Sequence, residues 1–170
     1  MTQFELIPNI SSISTATIKS YSLPELVHED DPATCIMNSF HTGDARRVSI
    51  DDSIEQAAQK LKTLNVHILL VMKADEKAIG IVTTEDVFGE KPIQLQQQSR
   101  MSRDEITMKM LMTPLNKIIT FTLEDVEHAR VGNVIATLKH HKQHCALVIS
   151  TDQETNNPRL QGVFNTPQIN

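Results

Sequence analysis

Tryptophan is absent from this sequence, tyrosine occurs once, and aromatic residues make up 4% of its 170 positions. Flat rings on which nucleobases could stack are therefore scarce. Lysine and arginine number 16 against 21 aspartates and glutamates, a formal net charge of −5, and no stretch gathers the cations into a stripe. Affinity for nucleic acid comes mainly from neutralising phosphates, so that class of partner is not expected. The two cysteines, Cys35 and Cys145, are too few for a disulfide framework and point to a reducing compartment. Cys145 lies in an apolar run, where buried free thiols are common. Glycine occurs five times, and no Gly-rich phosphate loop is among them. No serine or cysteine stands in a nucleophile setting with a nearby base, so catalysis is not expected.

Apolar runs are short as well. None approaches the ~20 residues needed to cross a bilayer, and Met1 to Pro8 lacks the basic start and apolar stretch of a secretory signal. The expectation is a cytoplasmic protein without a membrane contact. The hydrophobic fraction of 39% with 22% charged residues is nevertheless that of an ordinary globular chain with a real core.

The informative content is an internal repeat. Residues 9–22 are rich in hydroxyl side chains that compete for backbone hydrogen bonds and show no helical stripe, so residues 1–33 read as an arm or linker with at most one short strand. Beyond residue 34 two stretches correspond. Val66-His-Ile-Leu-Leu-Val-Met72 aligns with Gln143-His-Cys-Ala-Leu-Val-Ile149, each of buried-strand length with histidine second. Each follows a stripe at i, i+3, i+4, i+7: Ile54, Ala57, Ala58 and Leu61 in one copy, and Val131, Val134, Ile135 and Leu138 in the other. A further strand follows in each, Ala78 to Thr83 and Arg159 to Asn165, the second after a longer polar turn over 152–158. First strands are expected at Arg46 to Ile50 and Ile118 to Thr122, and Ile36-Met-Asn-Ser39 echoes Leu111-Met-Thr-Pro114. Each copy thus reads strand, helix, strand, strand, helix. The boundaries are 34–90 for the first copy, 91–104 for a connector and 105–170 for the second, whose closing helix would only begin at Asn170. The arm is one candidate to cover the surface which that helix would otherwise bury. Ser102-Arg-Asp-Glu105 fits a capping box ahead of a Met-rich helix, whose Met108, Met110 and Met112, with Met101, are expected to fill gaps between the copies. A single thin sheet with two helices leaves one sheet face bare, so the copies should pack face to face.

These features resemble a CBS-domain pair, of the cystathionine β-synthase domain family, over roughly residues 35–170. The most specific match is Gly80-Ile-Val-Thr83-Thr84-Glu85-Asp86, which has the family's glycine, two apolar residues, hydroxyl, two variable residues and aspartate. The equivalent Gly162-Val-Phe-Asn165-Thr-Pro-Gln168 has an amide in place of both hydroxyl and carboxylate. The resemblance implies an α+β fold of two β-α-β-β-α units related by a pseudo-twofold axis, commonly assembled as a homodimer. It also implies non-catalytic regulation through clefts that bind AMP, ADP, ATP or S-adenosylmethionine. With no catalytic or transport domain attached, the regulated protein would be a separate partner acting in trans.

Chemistry supports such a reading of Thr83 and Asp86. A strand turning into a helix presents unpaired N–H groups and a positive dipole end, Thr83 adds a hydroxyl, and the Asp86 carboxylate matches the diol of a ribose. Gly80, Thr84, Val48, Ile81 and His67 are the further candidates, the last three as walls of an adenine slot. Glu85 and Asp86 repel phosphate, which favours ligands with few phosphates unless a cation from elsewhere compensates. The same Thr83-x-x-Asp86 spacing also fits a capping box, which would explain both copies, since Asn165 and Gln168 can cap a helix but cannot chelate a diol as strongly. A dimerisation or scaffolding module without ligand is the alternative on that ground. His140-His141-x-x-His144-Cys145 has metal-ligand residue types, but the repeat places these residues at a helix end and a strand start, so helical spacing fails and no metal is expected.

Overall fold

The computed structural model describes residues 27–41, 45–74 and 77–165. Most of the expected arm and the expected closing-helix position after Asn165 lie outside them. In chain order the elements are β1 (Asn38–Ser39), β2 (Arg47–Ser49), α1 (Ile54–Leu64), β3 (Ile68–Met72), β4 (Ala78–Thr83), α2 (Thr84–Phe88), α3 (Lys91–Ser99), α4 (Met108–Leu111), β5 (Thr113–Pro114), β6 (Ile119–Thr122), α5 (Leu123–His128), α6 (Val131–His141), β7 (Cys145–Thr151) and β8 (Pro158–Asn165), with short 3-10 turns at Ala33–Ile36, Arg103–Glu105 and Leu115–Lys117.

Local chemistry explains the two long helices. The Ser53 hydroxyl accepts from the Gln56 N–H and the Gln56 side chain accepts from the Ser53 N–H, a capping box that starts α1. Asn65 ends it in the left-handed region at φ 51°, a conformation asparagine tolerates. In α6 the Asn133 side-chain oxygen accepts from the Arg130 N–H at 2.8 Å, and Lys142 closes the helix at φ 54°. Ile54, Ala57, Ala58 and Leu61 are all buried, as are Val131, Val134 and Leu138, while Ile135 is partly buried against the same core. Both expected stripes are therefore the packed faces of their helices.

The strands form two four-stranded sheets of like topology, β2-β3-β4-β5 and β6-β7-β8-β1. In each, the first pair is parallel and the others antiparallel. Both sheets carry a register irregularity at the same place, between Val71 and Met72 in one and Val148 and Ile149 in the other. Side-chain alternation along β3 and β4 then sorts the core into layers. Leu69, Val71 and Val82 face the helices with Val48, Leu61 and Val87, whereas Ile68, Leu70 and Ile81 meet Ile118, Leu147 and Val163 of the other half between the sheets. The face-to-face packing expected from the thinness of one unit is this inter-sheet layer.

The fourth strand of each sheet comes from the other half of the chain. Ala33 of the arm and residues 34–39, placed with the first copy, pack into the second unit: Ala33 and Ile36 lie in the core around Val131, Leu138 and Phe164, and β1 pairs with β8. Conversely Ile106, Met108 and Leu111 lie in the core of the first unit, and β5 pairs with β4. The physical reason is edge satisfaction. A three-stranded sheet ending at β4 or β8 would leave open backbone groups and an uncovered end of its core.

Two further departures are local. The second copy has an additional short helix, α5, between its first strand and its long helix, with the Thr122 hydroxyl accepting from the Asp125 N–H at 3.1 Å. The Ser102–Glu105 box caps the 3-10 turn Arg103–Glu105, and the following helix α4 begins only at Met108. Met108 is fully buried and Met101 and Met112 pack against the first core, as expected, but Met110 is exposed.

Gly80 and Gly162 occupy equivalent positions where the exchanged strand crosses. A Cβ on Gly80 would stand 2.9 Å from the Thr113 carbonyl oxygen and 2.8 Å from the Met112 sulfur, and one on Gly162 would stand 2.8 Å from the Asn38 carbonyl oxygen. Backbone oxygens cannot yield cheaply, so Gly162→Ala is expected to cost about 1–3 kcal/mol through overpacking. Urea unfolding with an unchanged m-value checks it, and an unaltered midpoint would contradict this account of the crossing.

Candidate functional site

Strand β4 runs straight into α2, and the junction is held by Thr83 and Asp86. The Thr83 N–H donates to Asp86 Oδ2 at 2.9 Å and the Thr83 hydroxyl to the same oxygen at 3.0 Å, while the Asp86 N–H lies 3.3 Å from Thr83 Oγ1. The capping box that the spacing allows is thus formed. Asp86 Oδ1 lies outside it, 3.5 Å from Lys91 Nζ, and the Asp86 side chain is 18% exposed. Lys91 also donates to the Leu111 carbonyl, so the ammonium bridges the helix start and the exchanged segment.

The other candidate residues disperse around this junction. Ile81 is buried on the inter-sheet face. Gly80 lies against β5, and its lack of a side chain is explained by that crossing. Thr84 donates its N–H to the His67 carbonyl at 2.9 Å, and its hydroxyl lies 3.5 Å from His67 Nδ1. His67 itself is exposed and borders a small cavity of about 100 Å³ with Asn38, Arg46, Asn65, Val66 and Ile68. Val48 is not available as an adenine wall. It pairs with Val71, so the pleat turns it to the helix side, where it is buried in the first core. The residue that faces the inter-sheet space from that strand is its neighbour Arg47, paired with Leu70.

Across from the motif stands the start of β7. The Cys145 thiol is pushed up to about 11 by burial, with the carboxylates of Asp86 and Glu85 adding to the shift. Cys145 packs against the inter-sheet layer that holds Ile68 and Ile81 of the first repeat. Cys145 also lies 3.7 Å from the side-chain oxygen of Asn165, the residue standing where the first repeat has Thr83. Asn165 is the buried polar residue of the described core. His140 and His141 close α6 with their rings 5.0 Å apart, edge to face, and no group of three or more His, Cys, Asp or Glu is placed to hold a metal among the described residues.

A second, larger cavity lies elsewhere, away from the residues singled out in the sequence. It measures about 1060 Å³ and opens between the sheets at the hairpin ends of β3–β4 and β7–β8, with Leu70, Met72, Leu147 and Ile149 as its apolar floor and Arg47, Lys77 and Arg159 among its walls. The signal available in the sequence was the parity of the strands: Arg47, at an inter-sheet position, is a cation inside a strand.

Two sheets of equal topology that complete each other's edges, with helices outside and an apolar layer between, define a tandem α+β module. Residues 35–91 match the family model described as CBS domain; the chain carries a CBS domain there and its two units fold as a CBS pair. Similar solved structures include an uncharacterised conserved protein from Pyrococcus horikoshii, 18% identical with a TM-score of 0.55 over 84% of this chain and 92% of that one. CBSX2 in complex with AMP is 17% identical with a TM-score of 0.53, covering 82% and 93% of the two chains. A CBS-domain containing protein from Agrobacterium tumefaciens is 17% identical with a TM-score of 0.52, covering 74% and 81%. At such identities the likeness is one of fold. No curated protein matches the chain in sequence, and among the described residues no helix is long and apolar enough to cross a membrane.

The Cys145 environment predicts its reactivity. Thiolate is the nucleophile, and with a value of about 11 only roughly one thiol in a thousand is ionised at pH 8. Cys35 is exposed. Iodoacetamide at pH 8 is therefore expected to alkylate Cys35 at least about tenfold faster than Cys145, the Cys145 rate rising as pH approaches 11; peptide mass mapping over time reads both, and equal rates would contradict the assignment.

Proposed function

We propose that this chain is a non-catalytic regulatory module that senses an adenosine-containing ligand, AMP, ADP, ATP or S-adenosylmethionine, beside Thr83 and Asp86. The bound state is passed through homodimer packing to a separate protein partner. The observation that carries the reading is the position of the Asp86 carboxylate: Oδ1 stays outside the capping box, and the strand leading into the box packs through Ile81 on the inter-sheet layer that also receives Cys145 of the second repeat. A ligand there would contact both repeats, so its binding energy would differ between arrangements of the two, as a sensor requires. Lys91 supplies the cation that offsets Glu85 and Asp86 toward a phosphate, which brings AMP within the favoured set. The AMP complex of the similarly folded CBSX2 supports the same ligand class.

A ligand-free dimerisation or scaffolding module is the second reading. Asp86 Oδ2 is already committed to two hydrogen bonds from Thr83, and Phe88 on α2 and Ile93 on α3 are 48% and 53% exposed, apolar surface suited to a protein contact.

Calorimetric titration of AMP, ADP, ATP and S-adenosylmethionine into wild type and Asp86→Asn separates the two. Asparagine keeps an acceptor for the cap, so the variant should lose no more than about 1 kcal/mol of stability. The sensor reading expects saturable binding of at least one compound, weakened about tenfold or more in the variant. No heat with any of the four from folded protein would leave the scaffolding module.

A further inference from the structure

The large inter-sheet cavity is separate from the site beside Asp86. Both touch β4, but Ala78 at its first position lines the cavity whereas Thr83 ends the strand, roughly 17 Å away at the rise of an extended chain. The cavity is built from equivalent positions of the two repeats. Leu70 and Leu147 correspond, as do Met72 and Ile149 and the residues paired with them, Ala78 and Leu160. One position earlier on each partner strand stand Lys77, whose carbonyl accepts from the Lys73 N–H at 3.0 Å, and Arg159, paired with Ser150. Each hairpin therefore places one cation at the same point of the mouth.

The third cation is Arg47, opposite Leu70, at the position that Thr120, opposite Leu147, occupies in the other sheet. Its Nε is buried without a hydrogen-bond partner, and a buried donor left unpaired is costly. No aspartate or glutamate lines the cavity among the described residues, although the chain as a whole carries a net −5. Asp152 lies 3.9 Å from Arg159 and is not part of the lining. Asn116, Thr120 and Asn157 add hydrogen-bonding groups around an apolar floor.

We infer that this hairpin-end cavity is a binding site for a small organic anion, a phosphate-type head on an apolar body. Arg47 and the paired cations Lys77 and Arg159 hold the head, and the leucine and isoleucine floor holds the body. A guanidinium presents parallel N–H donors to an oxyanion, and the orphan Nε–H of Arg47 would complete its bonding on such a head. The ligand would bridge the two hairpins across the pseudo-twofold axis.

The test uses the whole chain and three probes followed by calorimetry and thermal shift: phenyl phosphate, inorganic phosphate and benzyl alcohol. Phenyl phosphate is expected to bind saturably, about tenfold or more tightly than inorganic phosphate, with benzyl alcohol not saturating. Arg47→Met and Arg159→Gln should each weaken it about fivefold or more, and added salt should weaken it further. Asp86→Asn should leave it unchanged, which keeps this result independent of the adenosine site. Arg159 is 72% exposed, so its variant folds even if Arg47→Met does not. Equal affinity for phenyl phosphate and inorganic phosphate, or full binding retained in Arg159→Gln, would overturn the assignment.

Discussion

An extended edge with open N–H and C=O groups must be paired, covered or left in water, and here that requirement shapes the whole chain. Strand β4 finds its neighbour in β5 and strand β8 finds its neighbour in β1, so each half finishes the other's sheet. Helix starts follow the same logic: the Ile54 N–H donates to the Ile106 carbonyl and the Val131 N–H to the Asp31 carbonyl, each a helix start tied by a segment from the other half. Packing between the sheets then adds Leu70, Leu147, Ile81 and Val163 as one apolar layer. With the edges, the helix starts and this layer all shared, the two repeats form a single body, and small molecules placed between them meet residues of both.

Most of the secondary structure was legible because periodicity reports burial directly. The stripes ending at Leu61 and Leu138, the runs ending at Met72 and Ile149 and the strand Ala78–Thr83 all reappear as packed faces. The exchange was not legible. The correspondence of Ile36–Ser39 with Leu111–Pro114 is visible in sequence, yet it says only that the segments are equivalent, not whose core they enter. The two glycines held the missing clue, since each stands where a foreign backbone passes within van der Waals distance, but a glycine in a strand has several meanings. Helix α5 escaped because its single buried residue, Val126, makes no stripe.

The local geometry of the candidate site was legible only in part. Thr83 and Asp86 adopt the paired geometry their spacing allows, and Ile81 faces the inter-sheet layer. Val48 failed by one residue of register. In a strand one step exchanges faces, and only the pairing with Val71 reveals that Val48 looks toward the helices. The cationic cavity depends on three residues far apart in the chain, Arg47, Lys77 and Arg159, whose convergence requires knowledge of both hairpins and of how the sheets face each other.

The mutual completion of the sheets also means that the chain has no internal seam. A break within α3 (Lys91–Ser99) would give two fragments, each carrying the edge strand its counterpart needs and lacking its own. Neither fragment could close its sheet in isolation, whereas the two mixed together hold every pairing of the intact protein. The repeat is therefore a unit of sequence, while the unit of folding is the pair.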